Sequence, residues 1–189
     1  MIKTSDKKVL IAYGSRYGST AEISQEISKI FKESDIKTLV LDLKKTKEKL
    51  WPMIDEFDAI LVGSGIKIGR WMKEPQKFLK KNKDKIKTKR KILGLFVSCS
   101  TVLDDPVKAK KEYLEKIIDD LDIKADLFDA FGPLFDFSET SNLGSLTKKI
   151  LKSILSKSEN IEFDPNTRND LRDWSQIRSF VEKLVELMK

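Results

Sequence analysis

The residues best suited to hold a ligand form the run Ser15-Arg16-Tyr17-Gly18-Ser19-Thr20. Before it lies a short unbroken apolar stretch, Val9-Leu10-Ile11-Ala12-Tyr13, closed by Gly14; after it Ile23, Ile27, Ile30 and Phe31 recur at the spacing of one helix face. A strand therefore hands over to a helix start here, where unpaired backbone N–H groups and the positive end of the helix dipole favour a phosphate. Ser15, Ser19 and Thr20 add hydroxyl donors, and Gly18 lets the backbone come close to an anion. The run lacks the Gly-Lys-Ser/Thr of a nucleoside-triphosphate loop and the three glycines of GxGxxG, so it suits one terminal phosphate. Its Ser and Thr also read as plain N-caps of the helix.

Two further loops follow apolar runs of the same kind. Ser64-Gly65-Ile66-Lys67-Ile68-Gly69 comes after Ala59–Gly63, and its glycines let main-chain groups lie against a flat ligand. Trp71 either covers such a ring or belongs to the core under the next helix. Ser98-Cys99-Ser100, after the run 91–97, offers hydroxyls and backbone N–H groups. Cys99 is the only cysteine and reads as a small packing residue without a catalytic role. With no histidine and one cysteine, the chain has no internal disulfide, no multi-cysteine metal site and no His-based triad. Redox chemistry would have to come from an organic cofactor, with no metal and no catalytic side chain.

These loops need elements to position them. Apolar runs at 9–13, 38–43, 59–63, 91–97 and 125–131 read as strands. They alternate with helical patterns from Ile23, around Pro75-Phe78-Leu79, over 104–121 and over 174–188. Such alternation predicts an α/β fold, a three-layer sandwich with one five-stranded parallel sheet in the order 2-1-3-4-5 and helices on both faces. Ligands bind such sheets beyond the carboxyl ends of the strands, between the loops after strands one and three. The whole chain, 1–189, reads as a single domain with an insertion at 133–170, far longer than an ordinary connection. Within it Leu143, Leu146, Ile150, Leu151, Ile154 and Leu155 share a helical face, while Lys148, Lys149, Lys152 and Lys157 lie largely elsewhere. The segment 143–155 packs back on the domain or lies on a membrane surface.

The net charge of +7 draws acidic partners, and no usual nucleic-acid-binding motif is present. The basic run from Lys77 to Lys91 reads as a solvated helix face, with a docking patch as the alternative. No apolar run approaches the ~18–20 residues that cross a bilayer, and the first residues lack signal-peptide character, so a cytoplasmic location is expected, at most peripheral on the membrane face.

The stretch YGSRYGSTAEI resembles the phosphate loop of flavodoxins, and FDAILVGSGIKIGRWMKEPQKFLKK resembles their third strand and flavin-contacting loop. LFVSCS is similar to the fourth strand with its loop, and RDWSQIRSFVEKL to the closing helix of the menaquinone-dependent protoporphyrinogen IX dehydrogenase group. The resemblance covers most of the chain and weakens across 133–170. It implies a flavodoxin-like fold with FMN as cofactor. Ser15 through Thr20 would hold the FMN phosphate, Ser64 through Gly69 would contact the isoalloxazine, Ser98 through Ser100 would line its edge, and Gly132 would lie nearby. The group it resembles carries an insertion before the last helix and consists of peripheral membrane enzymes. The implied activity passes electrons from a porphyrinogen substrate through FMN to a quinone. The alternative is a flavodoxin carrying electrons between redox protein partners. Positive charge stabilises an anionic reduced flavin, and flavodoxins tend to be acidic, so the charge favours the quinone-linked enzyme.

Overall fold

The computed structural model describes residues 6–141, 143–156 and 161–189; Lys157 and the side chain of Ile154 lie outside the described residues. Five parallel strands form the centre: β1 (Lys8–Gly14), β2 (Lys37–Asp42), β3 (Ala59–Lys67), β5 (Ile92–Ser98) and β6 (Leu127–Phe131). They lie in the order β2-β1-β3-β5-β6, the expected 2-1-3-4-5 when only these strands are counted. A two-residue strand, β4 (Arg70–Trp71), pairs antiparallel with the end of β3, matching Ile66 with Trp71 and Lys67 with Arg70.

Period-two alternation along each strand divides the core into two layers. Val9, Ile11, Leu61 and Phe96 face α1 (Ser19–Glu33) and the closing helix, supplying one buried cluster with Ile23, Ile27, Phe31, Phe180 and Leu184. Leu10, Ile60, Leu93 and Leu95 face α2 (Lys73–Thr88), meeting Phe78, Leu79 and Ile86. The closing helix, α7 (Trp174–Leu187), is capped by Asp173, whose carboxylate accepts the Ser175 and Gln176 N–H groups.

The helix expected over 104–121 is interrupted. A short α3 (Thr101–Asp104) ends at Asp105, which caps α4 (Pro106–Lys110) by accepting the Lys108 N–H, with Pro106 in the first turn. A π-helical turn over Lys111–Glu115 leads into α5 (Lys116–Leu121). Within this turn the Tyr113 carbonyl accepts the Trp71 indole N–H at 2.5 Å. Trp71 is thereby a buried core residue, which resolves its two readings in favour of packing.

The stretch 133–170, read from the sequence as an insertion, contains β7 (Leu134–Asp136) and β8 (Arg168–Asp170), an antiparallel pair, with α6 (Ser145–Leu155) between them. Phe135, Phe137, Leu143 and Leu155 form a third buried cluster, with Leu103, Leu151 and Phe163 against it. The helix thus packs back onto the molecule through Leu151 and Leu155, leaving Leu146 outward and Ile150 half-exposed. No helix among the described residues is long and apolar enough to cross a membrane.

Candidate functional site

Strand register brings the three ligand loops to one edge. Gly14 lies beside Ser64, Gly65 beside Ser98, and Ser98 beside Phe131, so the chain leaves four neighbouring strands at the same level. Between these exits and the insertion lies a cleft of ≈ 540 Å³. Ser15, Arg16, Tyr17, Ser19, Thr20, Gly65, Ile66, Lys67, Ile68, Ser98, Cys99 and Ser100 line it. Gly18, Ser64, Gly69 and Gly132 do not, and each has a structural task.

At the helix start, the N-cap of α1 is Gly18, at φ 103°, and no side chain caps the helix. The first intrahelical bond is Glu22 N–H to the Gly18 carbonyl at 3.0 Å. The first-turn N–H groups from Ser19 to Ala21 lie ahead of that bond, the place in a helix where an anion is favoured. Reading the hydroxyls as plain N-caps therefore fails. Ser15 Oγ instead accepts the Gly18 N–H at 3.1 Å and shapes the loop. Ser19 Oγ lies 2.8 Å from Ser98 Oγ and accepts the Leu134 N–H at 3.2 Å, stitching the loop to β5 and to the insertion. Tyr17 is partly exposed, with the Arg16 guanidinium 5.3 Å from its ring centre.

The second loop is a hairpin rather than an open loop. β3 runs on through Lys67 and turns at Ile68 and Gly69, whose φ values of 48° and 67° are those of a tight two-residue turn. A β-branched residue with positive φ is strained, and Ile68 is also 88% exposed at the cleft mouth. Ser64, fully buried, accepts the Met72 N–H and donates to the Gly65 carbonyl, fixing the base of the hairpin.

At the third loop Ser98 Oγ donates to the Gly132 carbonyl at 3.1 Å. Gly132 is required because a Cβ there would lie 2.1 Å from the Leu171 carbonyl oxygen, where the chain returns from the insertion. Burial pushes the Cys99 thiol up to about 11, with the Val102 and Thr101 backbone groups pulling the other way, so it is no thiolate at neutral pH.

Sequence reasoning missed the far wall. Met72 and the insertion residues Pro133, Leu134, Phe135, Leu143, Thr147, Ile150 and Leu151 also line the cleft. It missed Arg172 as well, whose side chain is 1% exposed. Arg172 bonds Asp170 through Nε (2.7 Å) and Nη2 (2.6 Å), Glu22 on α1 (2.8 Å) and the Ser19 carbonyl (3.4 Å), and it stacks on Trp174. Burial alone would raise the Asp170 carboxyl, but the Arg172 guanidinium holds it below the ordinary range. The segment after β8 is thus clamped to the start of α1, at Ser19 and Glu22. Asp170 lies where the resemblance weakens and Arg172 opens the stretch RDWSQIRSFVEKL, but nothing local in the sequence marks the two as a pair.

The Flavodoxin domain model matches residues 10–164, most of the chain. The chain belongs to the flavodoxin domain family. Among curated proteins, it is 27% identical over 101 residues to "Protoporphyrinogen IX dehydrogenase [quinone]" of Escherichia coli (strain K12). That match covers 53% of this chain, and the chain spans about half, 52%, of the relative. Among solved structures, the rubredoxin oxygen:oxidoreductase of Desulfovibrio gigas superposes with a TM-score of 0.56 at 13% identity, over 97% of this chain and 37% of that one. A Fusobacterium nucleatum flavodoxin bound to flavin mononucleotide gives a TM-score of 0.51 at 13% identity, over 97% and 99%. These superpositions establish the flavodoxin fold. Membership of the family makes FMN the cofactor, and the donor set fits it: an uncapped helix start for one phosphate, beside a cleft whose other walls are mostly apolar.

Proposed function

We propose that this flavodoxin-family chain is an FMN-dependent, quinone-linked dehydrogenase acting on a porphyrinogen-type substrate. The observation that carries the reading is the insertion wall. Leu134, Phe135, Leu143, Ile150 and Leu151 stand opposite Ile66 and Ile68, so the cleft continues past the phosphate loop into an apolar, walled space. Such a space suits a flat apolar small molecule, whereas an electron carrier for proteins needs an open flavin edge. The name of the 27% identical relative points the same way.

FMN supplies the two-electron chemistry when bound. The chain's own residues do the rest. First-turn N–H groups of α1, with Ser15, Arg16, Tyr17, Gly18, Ser19 and Thr20 around them, hold the phosphate. Gly65, Ile66, Lys67 and Ile68 would contact the ring system from a hairpin whose base and turn are set by Ser64 and Gly69. Ser98, Cys99 and Ser100 would border its edge, with the Gly132 carbonyl holding Ser98 in place. The insertion wall excludes water from the reacting face. Arg16 and Lys67 are the cations of the lining, which includes no Asp or Glu, and they favour a substrate that carries carboxylates on an apolar body. Exposed Leu146, on the same helix as the wall residues Ile150 and Leu151, suits contact with the bilayer from which a quinone enters.

The test is anaerobic turnover. FMN-loaded protein should be reduced by protoporphyrinogen IX, seen as bleaching of the flavin's visible absorbance, and reoxidised by a menaquinone analogue over many cycles. No turnover with these two, alongside rapid one-electron exchange with a redox protein, would assign the chain as a carrier.

A further inference from the structure

The basic character of the molecule is concentrated in one place. Residues 73–91 hold ten Lys and Arg against Glu74 and Asp84, a net +8 in a chain whose total is +7, so the remainder nets −1. On α2 these cations form two stripes. Lys77 and Lys81 pair with Glu48, and Lys85 and Lys89 with Asp55, all at the i, i+4 spacing of one helix face. The second stripe, Lys80, Lys83, Lys87 and Arg90, has no ion pair among the described residues.

Three of that stripe, Lys83, Lys87 and Arg90, wall a groove of ≈ 490 Å³ at the amino-terminal edge of the sheet, opposite the flavin cleft. Its floor is apolar, made by Ile86, Ile92 and Ile123, and Lys124 stands on the far bank. Lys83 Nζ reaches toward the Leu121 carbonyl at 3.5 Å, narrowing one end. A stripe kept only for solubility or for the helix dipole would not need an apolar floor beneath it.

We infer that this groove docks an acidic polypeptide segment of a partner protein, with one apolar side chain seated on Ile86, Ile92 and Ile123 and carboxylates answering Lys83, Lys87, Arg90 and Lys124. Charge complementarity and concavity select the occupant. A lipid surface does not fit, because the apolar residues lie at the bottom of a concavity and Ile86 is only 5% exposed. Nucleic acid does not fit either, because the lining holds no aromatic ring to stack a base. Docking here leaves the flavin cleft free, so the partner tethers or delivers the protein without covering its redox face.

The test uses the full-length chain. Short random peptides are selected on the immobilised protein, and the enriched sequences are synthesised with a fluorescent label and titrated by anisotropy. The variants are Lys83→Ala/Lys87→Ala/Arg90→Ala, a charge-matched control on the paired stripe, Lys77→Ala/Lys81→Ala/Lys85→Ala, and Ile123→Ser. Thermal stability and FMN affinity confirm that each is folded. Enriched peptides should combine Asp or Glu with a large apolar residue, and their affinity should fall about tenfold or more in the first triple variant and in Ile123→Ser but stay within about twofold in the control. Enrichment without an acidic pattern, or equal loss in both triple variants, overturns the inference. So does binding of phosphatidylglycerol vesicles or single-stranded DNA that depends on the same stripe where no selected peptide does.

Discussion

Replacing Arg172 with Met tests whether the insertion supports the phosphate loop. The guanidinium makes three bonds of 2.6–2.8 Å to Asp170 and Glu22 and lies 4.4 Å above the Trp174 ring. Charge-assisted bonds of this kind contribute about 1.5–3 kcal/mol each in buried settings. Here Asp170 and Glu22 keep 35% and 42% side-chain exposure, so both carboxylates regain water once the cation is gone, and the combined loss falls to about 2–3 kcal/mol. Losing the stack adds about 0.5–1 kcal/mol. For a chain of this size that total of about 2.5–4 kcal/mol lowers Tm by about 5–16 °C. Because the same side chain reaches the Ser19 carbonyl, FMN affinity should fall about 5–30-fold, equivalent to 1–2 kcal/mol at the loop. Arg172→Lys, which keeps charge but not the planar fork, should recover part of both losses, whereas Arg168→Ala, at the exposed neighbour on Glu22, should change stability by about 0.5 kcal/mol or less. Urea titrations and flavin fluorescence measure the two effects. A stability loss with unchanged FMN affinity would refute the coupling, and no stability loss would refute the clamp itself.

Gly18→Ala should cost about 1–2 kcal/mol from backbone strain alone, because the residue sits at φ 103° with open space around its Cβ direction; FMN affinity should drop about tenfold in a fluorescence titration. Ile150→Asp, at a half-exposed wall position, should leave stability within about 0.5 kcal/mol and FMN binding unchanged while raising KM for the apolar substrate about tenfold. The Cys99 thiol is raised to about 11 in the folded chain from an ordinary value of 9.0, so its stabilising effect is complete below pH 9 and is lost as pH rises toward 11, by about 2–3 kcal/mol at the end of that window. Cys99→Ala should flatten this slope in urea midpoints measured across the range and leave turnover within about twofold, since a protonated thiol does no chemistry here.

Strand order and the loop cluster were legible because buried parallel strands read as short apolar runs, and because four such runs end in Gly or Ser at the same sheet edge. The Asp105-Pro106 pair carried a cap-and-proline start for α4 that places the helix boundary after 104, a local signal visible in the sequence. The turn at Ile68-Gly69 was less visible, because the usual Asn-Gly or Asp-Gly signature is replaced by a strained isoleucine. Trp71 could not be assigned from its neighbours, since its indole partner, Tyr113, is 42 residues away. The insertion wall and the Arg172 clamp were illegible for the same reason. Strands of three residues carry no period, and a guanidinium that bonds Glu22 across 150 residues is defined only by tertiary packing.

The direct test of the phosphate-loop assignment compares FMN with riboflavin on the same apoprotein. The account predicts one-to-one binding of FMN, with riboflavin weaker by about a hundredfold or more, since two charge-assisted bonds to the phosphate contribute about 3 kcal/mol. Equal affinity for the two flavins, or no binding of either, would contradict it.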